Sequence, residues 1–372
     1  MNGSNYSISD EDSRVIGTLK AIMAVMVVFI HAHYDGINLA TGDVIFEQPR
    51  WFDITKRLLS GAIPCCAVPG FFILAAILLY KKPFNWKDNI IKKAKTLLIP
   101  YFIINTFWIV FYACAQLNPV LRPYFSNPDK IVANWGVLEY LDAYLGFGTS
   151  KAVHLIYGPL WFVRDLFTLN IIAPLIKKII DKCPRLYASA ILLMMLLGVN
   201  THIFCLKSTA LFYFSVGYYI VKYNIHFSDV KKINFPILSV MYAIMLAMYI
   251  YFLDSKWWYL PVFFDINLGL LWWTRASFFI MGMKGKVQEL LRVLEKYNFC
   301  IYIFHQIPTT ILEKILFTVL PKSLPFIVAE YFAVIIVILT GCIVFSMFLE
   351  RFTPRFFALL TGGRIESQRL LT

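Results

Sequence analysis

The sequence is poor in charge: Asp, Glu, Lys and Arg make up 15% of its 372 residues, whereas 59% are hydrophobic. A soluble domain has about 25% charged and about 45–50% apolar residues. The mean hydropathy of +0.66 excludes an ordinary soluble domain. It predicts an all-α, polytopic membrane helix bundle, because helices satisfy their own backbone hydrogen bonds in lipid.

Other common signals are absent from the sequence. The seven cysteines are odd in number and lack metal-ligand spacing, so they are interpreted as small buried apolar residues. The apolar run from Val15 is too long for a signal-peptide core and lacks a cleavage site, so we expect it to be retained. The net charge of +13 does not indicate nucleic-acid binding, because the basic residues fall in short loops between apolar runs.

Ten apolar segments are each near the length needed to cross about 30 Å of hydrocarbon. With the N-terminus inside, the inner loops hold more than twice as many Lys and Arg residues as the outer loops, which predicts an N-in, C-in topology. The chain then divides into a cytoplasmic N-terminal tail (1–14), a membrane domain (15–350) and a cytoplasmic C-terminal tail (351–372). The predicted spans are 15–34, 58–80, 97–117, 156–176, 186–202, 208–223, 235–253, 259–283, 297–319 and 325–350.

The first span carries both Lys20 and His31. At about 100° per residue they lie on one helix face, about 16 Å apart along the axis. A lysine in hydrocarbon costs about 2.5–3.5 kcal/mol, so this face is expected to look into a protein interior or a wet cavity. His31 suits a general base, because neutral imidazole accepts a proton near pH 7. The alternatives are a Lys20 that reaches the inner surface and a structural His31 at the membrane interface.

Two further groups near the outer ends of spans are candidates. Arg164 and Asp165 place adjacent opposite charges in the fourth span, and Trp161 shares a helix face with Asp165. Charges inside a membrane favour a role in shaping a cavity, with mutual neutralisation as the structural alternative. His33 and Asp35 follow His31, but without a second ligand cluster they do not predict a metal site.

The ninth span carries three polar residues on one face, Asn298, Tyr302 and His305. They indicate either interhelical hydrogen bonds or one wall of a site. Arg275 and Asp265 in the eighth span are candidate partners for this wall.

A basic cluster, Lys92, Lys93 and Lys95, stands where the third span begins. The preference for positive charge on the inner side accounts for such a cluster by itself. The functional alternative is a clamp for an anionic cytoplasmic ligand, because ammonium groups bind phosphate.

Six short segments, in order along the chain, carry a family resemblance. They are Lys20 and His31 with ten residues between them, 68–74 (Val-Pro-Gly-Phe-Phe-Ile-Leu), the basic residues from Lys92 to Pro100, 159–166 (Pro-Leu-Trp-Phe-Val-Arg-Asp-Leu), 212–217 (Phe-Tyr-Phe-Ser-Val-Gly) and 302–305 (Tyr-Ile-Phe-His). Together they make the chain resemble the acyltransferase-3 family of integral membrane acyltransferases over nearly its whole length.

The chain departs from the family pattern in three places. The family often has Asp where Gly17 stands, and Ser-Gly where Ala75 and Ala76 stand. Its Arg-x-x-Arg pair is matched here by Lys92 and Lys95, which lack the bidentate fork of arginine.

The resemblance implies an O-acetyltransferase type of enzyme. It would move an acyl group, usually acetyl, from cytoplasmic acyl-CoA to a hydroxyl of a cell-envelope glycan or its lipid-linked precursor. Acetyl-CoA is then a donor substrate, and no permanently bound cofactor or metal is expected. The expected partners are the lipid bilayer, acyl-CoA and the glycan, in the cytoplasmic (inner) membrane of a bacterium.

The resemblance also suggests roles for the candidates. Lys92, Lys93 and Lys95 would hold the anionic end of CoA, Lys20 would polarise the thioester or position the donor, and His31 would deprotonate the acceptor hydroxyl. The residues expected to bind the acceptor or shape the site are Trp161, Arg164, Asp165, Asn298, Tyr302, His305 and Arg275.

Two other functions stay open at this point. A transporter or exporter of a small amino acid or glycan would move substrate without consuming acetyl-CoA. A non-catalytic scaffold in glycan assembly would tolerate substitution of Lys20 and His31.

Overall fold

The computed structural model is almost entirely α-helical, which confirms the predicted all-α fold class. Two small antiparallel hairpins add the only strands among the described residues. The structure describes residues 6–32, 36–39, 42–45, 48–83, 85–126, 131–147, 155–199, 202–203 and 206–363. The predicted C-terminal tail beyond residue 363, and the residues His33, Asp35 and Cys205, lie outside them.

Within the described residues, six helical segments are long and apolar enough to cross a membrane. The ten-span count and the N-in, C-in topology remain predictions. The predicted fifth span is represented by a shorter helix, Pro184–Leu196. The six segments are Asp10–His31, Arg50–Tyr80, Trp86–Leu117, Gly158–Lys182, Phe235–Phe252 and Leu324–Phe352.

One compact unit comprises Met1–Ile30, Ile54–Lys92 and Asp165–Asn298. Its helices are α1 (Asp10–His31, up to residue 30), α3 (Ala67–Tyr80), α4 (Trp86–Lys93, up to residue 92), α8 (Trp161–Lys182, from residue 165), α9 (Pro184–Leu196), α10 (Ser208–Lys222), α11 (Phe235–Phe252), α12 (Tyr259–Ile280) and α13 (Lys286–Phe304, up to residue 298). Strands β3 (His202–Ile203) and β4 (Leu206–Lys207) pair within it.

Small residues allow α3 and α10 to approach each other closely. A Cβ atom on Gly217 would lie 2.5 Å from the Ile73 carbonyl oxygen and 2.6 Å from the Ala76 Cβ. Only glycine fits this crossing, as at many membrane helix contacts. Two of the segments that carry the family resemblance, 68–74 and 212–217, therefore meet at this crossing.

The other compact unit comprises His31–Asp53, Lys93–Arg164 and Phe299–Thr372. Its strands β1 (Gly36–Leu39) and β2 (Gly42–Ile45) pair with Gly36 opposite Ile45. Its helices are α2 (Arg50–Lys56, up to residue 53), α5 (Ile99–Leu117), α6 (Arg122–Phe125), α7 (Val137–Leu145), the first turn of α8, the end of α13, α14 (Gln306–Val319), α15 (Leu324–Phe352) and α16 (Pro354–Thr361).

A widened, π-helical turn, Ala94–Leu98, precedes α5. Pro100 has no N–H to donate to the Thr96 carbonyl, so the regular helical bond is missing there. Gly362, in the left-handed conformation at φ +61°, packs against this carbonyl, and a Cβ on it would lie 2.5 Å from the Thr96 oxygen. The end of the C-terminal helix α16 therefore packs against the turn that precedes α5.

The segment 297–319, predicted as one span, consists of the end of α13 and the whole of α14, with a break at His305. Two causes act on neighbouring turns. Pro308 has no N–H for the Phe304 carbonyl. The Tyr157 hydroxyl accepts a bond from the Gln306 N–H at 3.1 Å and donates to the Tyr302 carbonyl at 3.4 Å. It therefore replaces a helical hydrogen bond, and such an insertion bends a helix.

Candidate functional site

Helix α1 positions Lys20 and His31. The Ser9 hydroxyl caps it by accepting a bond from the Asp12 N–H at 3.0 Å, and acidic residues in its first turn suit the helix dipole. The helix continues without interruption to His31. With a rise of about 1.5 Å per residue, an unbroken helix separates the two candidates by about 16 Å along its axis.

In the first unit, Lys20 lies near the carboxylate of Glu295, which the sequence analysis did not single out. Lys20 is half-buried, and its ammonium and the Glu295 carboxylate carry opposite charges. Gly17, one turn before Lys20, leaves the room for this carboxylate. A Cβ on Gly17 would lie 2.5 Å from both Glu295 oxygens.

In the second unit, His31 packs against His305. Their ring centroids are 4.9 Å apart at an interplanar angle of 52°. His305 is fully buried, and its Nδ1 lies 2.9 Å from the carbonyl oxygens of Ile301 and Tyr302. Carbonyls only accept, so we assign the ring proton to Nδ1, which leaves Nε2 as an acceptor. Nε2 has no hydrogen-bond partner among the described residues.

The beginning of segment 159–166 and the segment 302–305, both part of the family resemblance, come together in the second unit. The Tyr302 hydroxyl donates to the Pro159 carbonyl. The fully buried Tyr157 bonds to both sides of the helix break. Gly158 leaves space for the Gln306 amide, since a Cβ there would lie 3.3 Å from its Nε2.

The two adjacent charges of the fourth span, Arg164 and Asp165, each have a backbone partner. In the second unit, Arg164 Nη1 donates to the carbonyls of Leu145 at 2.6 Å and Gly146 at 3.3 Å, at the end of α7. In the first unit, the buried Asp165 accepts from the Lys207 N–H at 3.0 Å. Trp161 begins α8. These contacts anchor loops and leave the site-shaping role of the three residues a prediction.

The remaining candidates in the first unit have local partners. The Asn298 amide donates to the Glu295 carbonyl. The Arg275 guanidinium lies 5.5 Å and 4.9 Å from the ring centroids of Phe235 and Phe279, a cation–π arrangement. Their expected role at the site remains a prediction.

A buried polar pair lies in the first unit. The Cys65 thiol donates to Asp265 at 3.2 Å, and the Asp265 side chain is fully buried. The candidate partnership of Asp265 with the ninth span remains a prediction.

The basic cluster stands at the junction of α4 and the widened turn. Lys92 and Lys95 are exposed, whereas Lys93 is half-buried and has further contacts. Lys92 lies at the edge of the first unit, and Lys93 and Lys95 lie in the second. The described residues include no group of three or more His, Cys, Asp or Glu placed to hold a metal ion.

Residues 15–347 match the family model described as an acyltransferase domain, of the acyltransferase-3 type. The chain belongs to the acyltransferase-3 family. The match contains every candidate site residue and confirms the family resemblance. Membership and the apolar helices identify an integral membrane protein.

The chain is also similar to the succinoglycan biosynthesis protein ExoH of Rhizobium meliloti (strain 1021). The two are 23% identical over 383 residues, which cover 96% of this chain and 94% of ExoH. No solved structure matches the chain.

Two features of this acyltransferase-3 chain were not predicted from its sequence. Glu295 lies in the amphipathic segment 285–296, where a glutamate is an ordinary surface residue in sequence, and only the fold brings it to Gly17. Tyr157 precedes a recognised motif but is an ordinary interfacial tyrosine in sequence. Pro308 was a readable signal for the helix break, because a proline inside a helical pattern interrupts it.

Proposed function

We propose that this protein is a membrane O-acetyltransferase that moves an acetyl group from cytoplasmic acetyl-CoA to a hydroxyl of a cell-envelope glycan or its lipid-linked precursor. Membership of an acyltransferase family supports the reaction class. A relative named for succinoglycan biosynthesis supports a glycan as acceptor. The membrane in question is expected to be the bacterial inner membrane.

The observation that carries the proposal is the packing of His31 against His305. In our proposal, His31 takes the proton of the acceptor hydroxyl while the oxygen attacks the thioester carbonyl carbon. The carbon–sulfur bond then breaks, and the CoA thiolate takes the proton from the His31 imidazolium. The neighbouring His305 ring is fully buried, and an uncharged ring there adds no like charge to oppose the imidazolium.

Lys20 is proposed to position the donor. An axial separation of about 16 Å places Lys20 too far from His31 to polarise the carbonyl that the acceptor attacks there. An extended donor arm lying along the helix face would pass both residues. Holding such an arm in place is a positional contribution to the rate.

The exposed Lys92 and Lys95, with Lys93, are proposed to bind the phosphates of CoA. Lysine acts at phosphate as a point charge, so this binding should weaken as ionic strength rises.

The other candidates are proposed to orient the site. The Tyr302 hydroxyl proton is directed to the Pro159 carbonyl and the His305 ring proton to main-chain carbonyls, so neither is available to an oxyanion in this arrangement. Arg164 donates a hydrogen bond to the main chain at the end of α7. These contacts favour positioning over oxyanion stabilisation for all three residues.

The function is tested with membranes that contain the protein and matched membranes that lack it. Both are given acetyl-CoA labelled in the acetyl group and the glycan fraction of the host. The proposal expects CoA release coupled one-to-one to labelled, base-labile acetyl on the glycan. Movement of glycan or a small amino acid across the membrane without CoA release would contradict it and favour a transporter.

A further inference from the structure

Glu295 approaches α1 at the turn that carries Lys20. Gly17 and Lys20 are three residues apart and therefore neighbours on the helix surface. Gly17 is buried, and the space that a side chain would fill there is occupied by both carboxylate oxygens of Glu295, 2.5 Å from an added Cβ. A glycine in mid-helix costs about 0.5–1 kcal/mol relative to alanine. The close approach of the carboxylate explains why position 17 carries glycine despite this cost.

The charges at this turn fit one another. Lys20 is half-buried one turn after Gly17, and the Glu295 carboxylate that occupies the space at Gly17 is an opposite charge close to its ammonium. An uncompensated ammonium at such a position is costly, so a nearby carboxylate decides whether the charged amine is held in place.

The helix that brings Glu295 is itself anchored. Leu294 and Tyr297, on either side of Glu295, are buried. The Asn298 amide donates to the Glu295 main-chain carbonyl. The carboxylate that reaches Gly17 therefore projects from a packed helix and not from a loop.

We propose that Glu295 is a positioning residue for Lys20, and that its carboxylate, reaching across from α13 into the gap left by Gly17, holds the ammonium for the acyl-CoA donor. This inference rests on the proposed function. Glu295 acts through Lys20 and does not touch the reacting atoms.

Three variants test the proposal through the KM for acetyl-CoA and the equilibrium binding of labelled acetyl-CoA to the solubilised protein. Glu295→Gln keeps the shape and removes the charge, so donor KM and Kd should rise about tenfold while kcat changes less. Gly17→Ala displaces the carboxylate while favouring the helix, and should shift both constants in the same direction. The double variant Gly17→Asp with Glu295→Ala removes the side chain that fills this space, returns a carboxylate beside Lys20 and should restore most of the loss.

Gly341→Ala is the matched control, because an added Cβ on Gly341 meets no atom within 4 Å. It should leave donor binding and KM unchanged. Wild-type values in Glu295→Gln, or a double variant no better than Glu295→Gln alone, would overturn the inference. If the wild-type protein binds acetyl-CoA but transfers no acetyl group, the proposed function fails, and the binding series still decides whether Glu295 supports donor binding.

Discussion

A single hydroxyl group, that of Tyr157, maintains the geometry around His305. It replaces the direct hydrogen bond between Gln306 and Tyr302, next to the bond that Pro308 cannot make. The resulting break places His305 between two helices with its Nδ1 committed to main-chain carbonyls. We therefore expect the orientation of His305 against His31 to depend on Tyr157, which has no part in the proposed reaction.

Replacing Tyr157 with Phe tests this dependence. The variant keeps the packing but lets the helix close toward a direct bond, so acetyl transfer should fall about tenfold while the free energy of unfolding falls by about 1 kcal/mol. Initial rates and thermal unfolding in detergent measure the two effects. Tyr251→Phe, at a side chain that is 81% exposed, is the control. A Tyr157→Phe enzyme with the wild-type rate would contradict the proposed role of the hydroxyl.

For single residues, the sequence indicates which side chains are unusual, but it does not indicate which side chains they contact. Lys20 and His31 stand out because titratable groups are expensive in lipid, and both lie on one uninterrupted helix. Glu295 does not stand out, because a glutamate on an amphipathic segment is an ordinary surface charge. Its approach to Gly17 depends on packing between elements almost 280 positions apart.

At the scale of elements, the crossing of α3 and α10 depends on the absence of a side chain at Gly217. The Ile73 carbonyl lies where a Cβ would stand, and main chain cannot move aside as a flexible side chain can. The segments 68–74 and 212–217 both carry the family resemblance, but the sequence alone gives no reason for them to pack against each other. The close approach supplies that reason.

Gly217→Ala should lower the free energy of unfolding by about 1–3 kcal/mol, as overpacking does. Gly341→Ala, where space is open, should be neutral or slightly stabilising, because alanine favours the helix. Thermal unfolding of the detergent-solubilised variants compares them. Equal melting temperatures for Gly217→Ala and wild type would show that the helices do not approach as closely as described.

The ninth predicted span shows why elements are only partly readable from sequence. Its apolar periodicity predicts one helix over 297–319, and the residues are indeed helical on both sides of His305. Pro308 signals a disturbance, but the second cause, Tyr157, lies 149 positions before Gln306. Local patterns carry no information about such an insertion.

At the scale of the whole molecule, the distribution of charge predicts which loops face the cytoplasm. Lys and Arg cluster in alternate loops, as expected from the positive-inside rule. The donor clamp at Lys92, Lys93 and Lys95 requires the same orientation, because acetyl-CoA is cytoplasmic in our proposal. The charge distribution of the loops and the proposed access of acetyl-CoA to the basic cluster therefore require the same topology.

Labelling of introduced cysteines tests this topology. Lys82 and Lys256 are both exposed and are predicted on the inner and outer sides, respectively. In right-side-out vesicles, a membrane-impermeant maleimide should label Lys256→Cys above the wild-type background and label Lys82→Cys only after permeabilisation. The reverse pattern would place the basic cluster on the side without acetyl-CoA.

The most direct measurement of the central claim is acetyl transfer from labelled acetyl-CoA by wild type and His31→Ala at equal expression, with Tyr251→Phe, at an exposed side chain, as the control. Loss of a general base predicts a rate about 10²- to 10⁴-fold lower for His31→Ala, with donor binding retained and Tyr251→Phe near wild type. A His31→Ala protein that transfers acetyl at the wild-type rate would contradict the account.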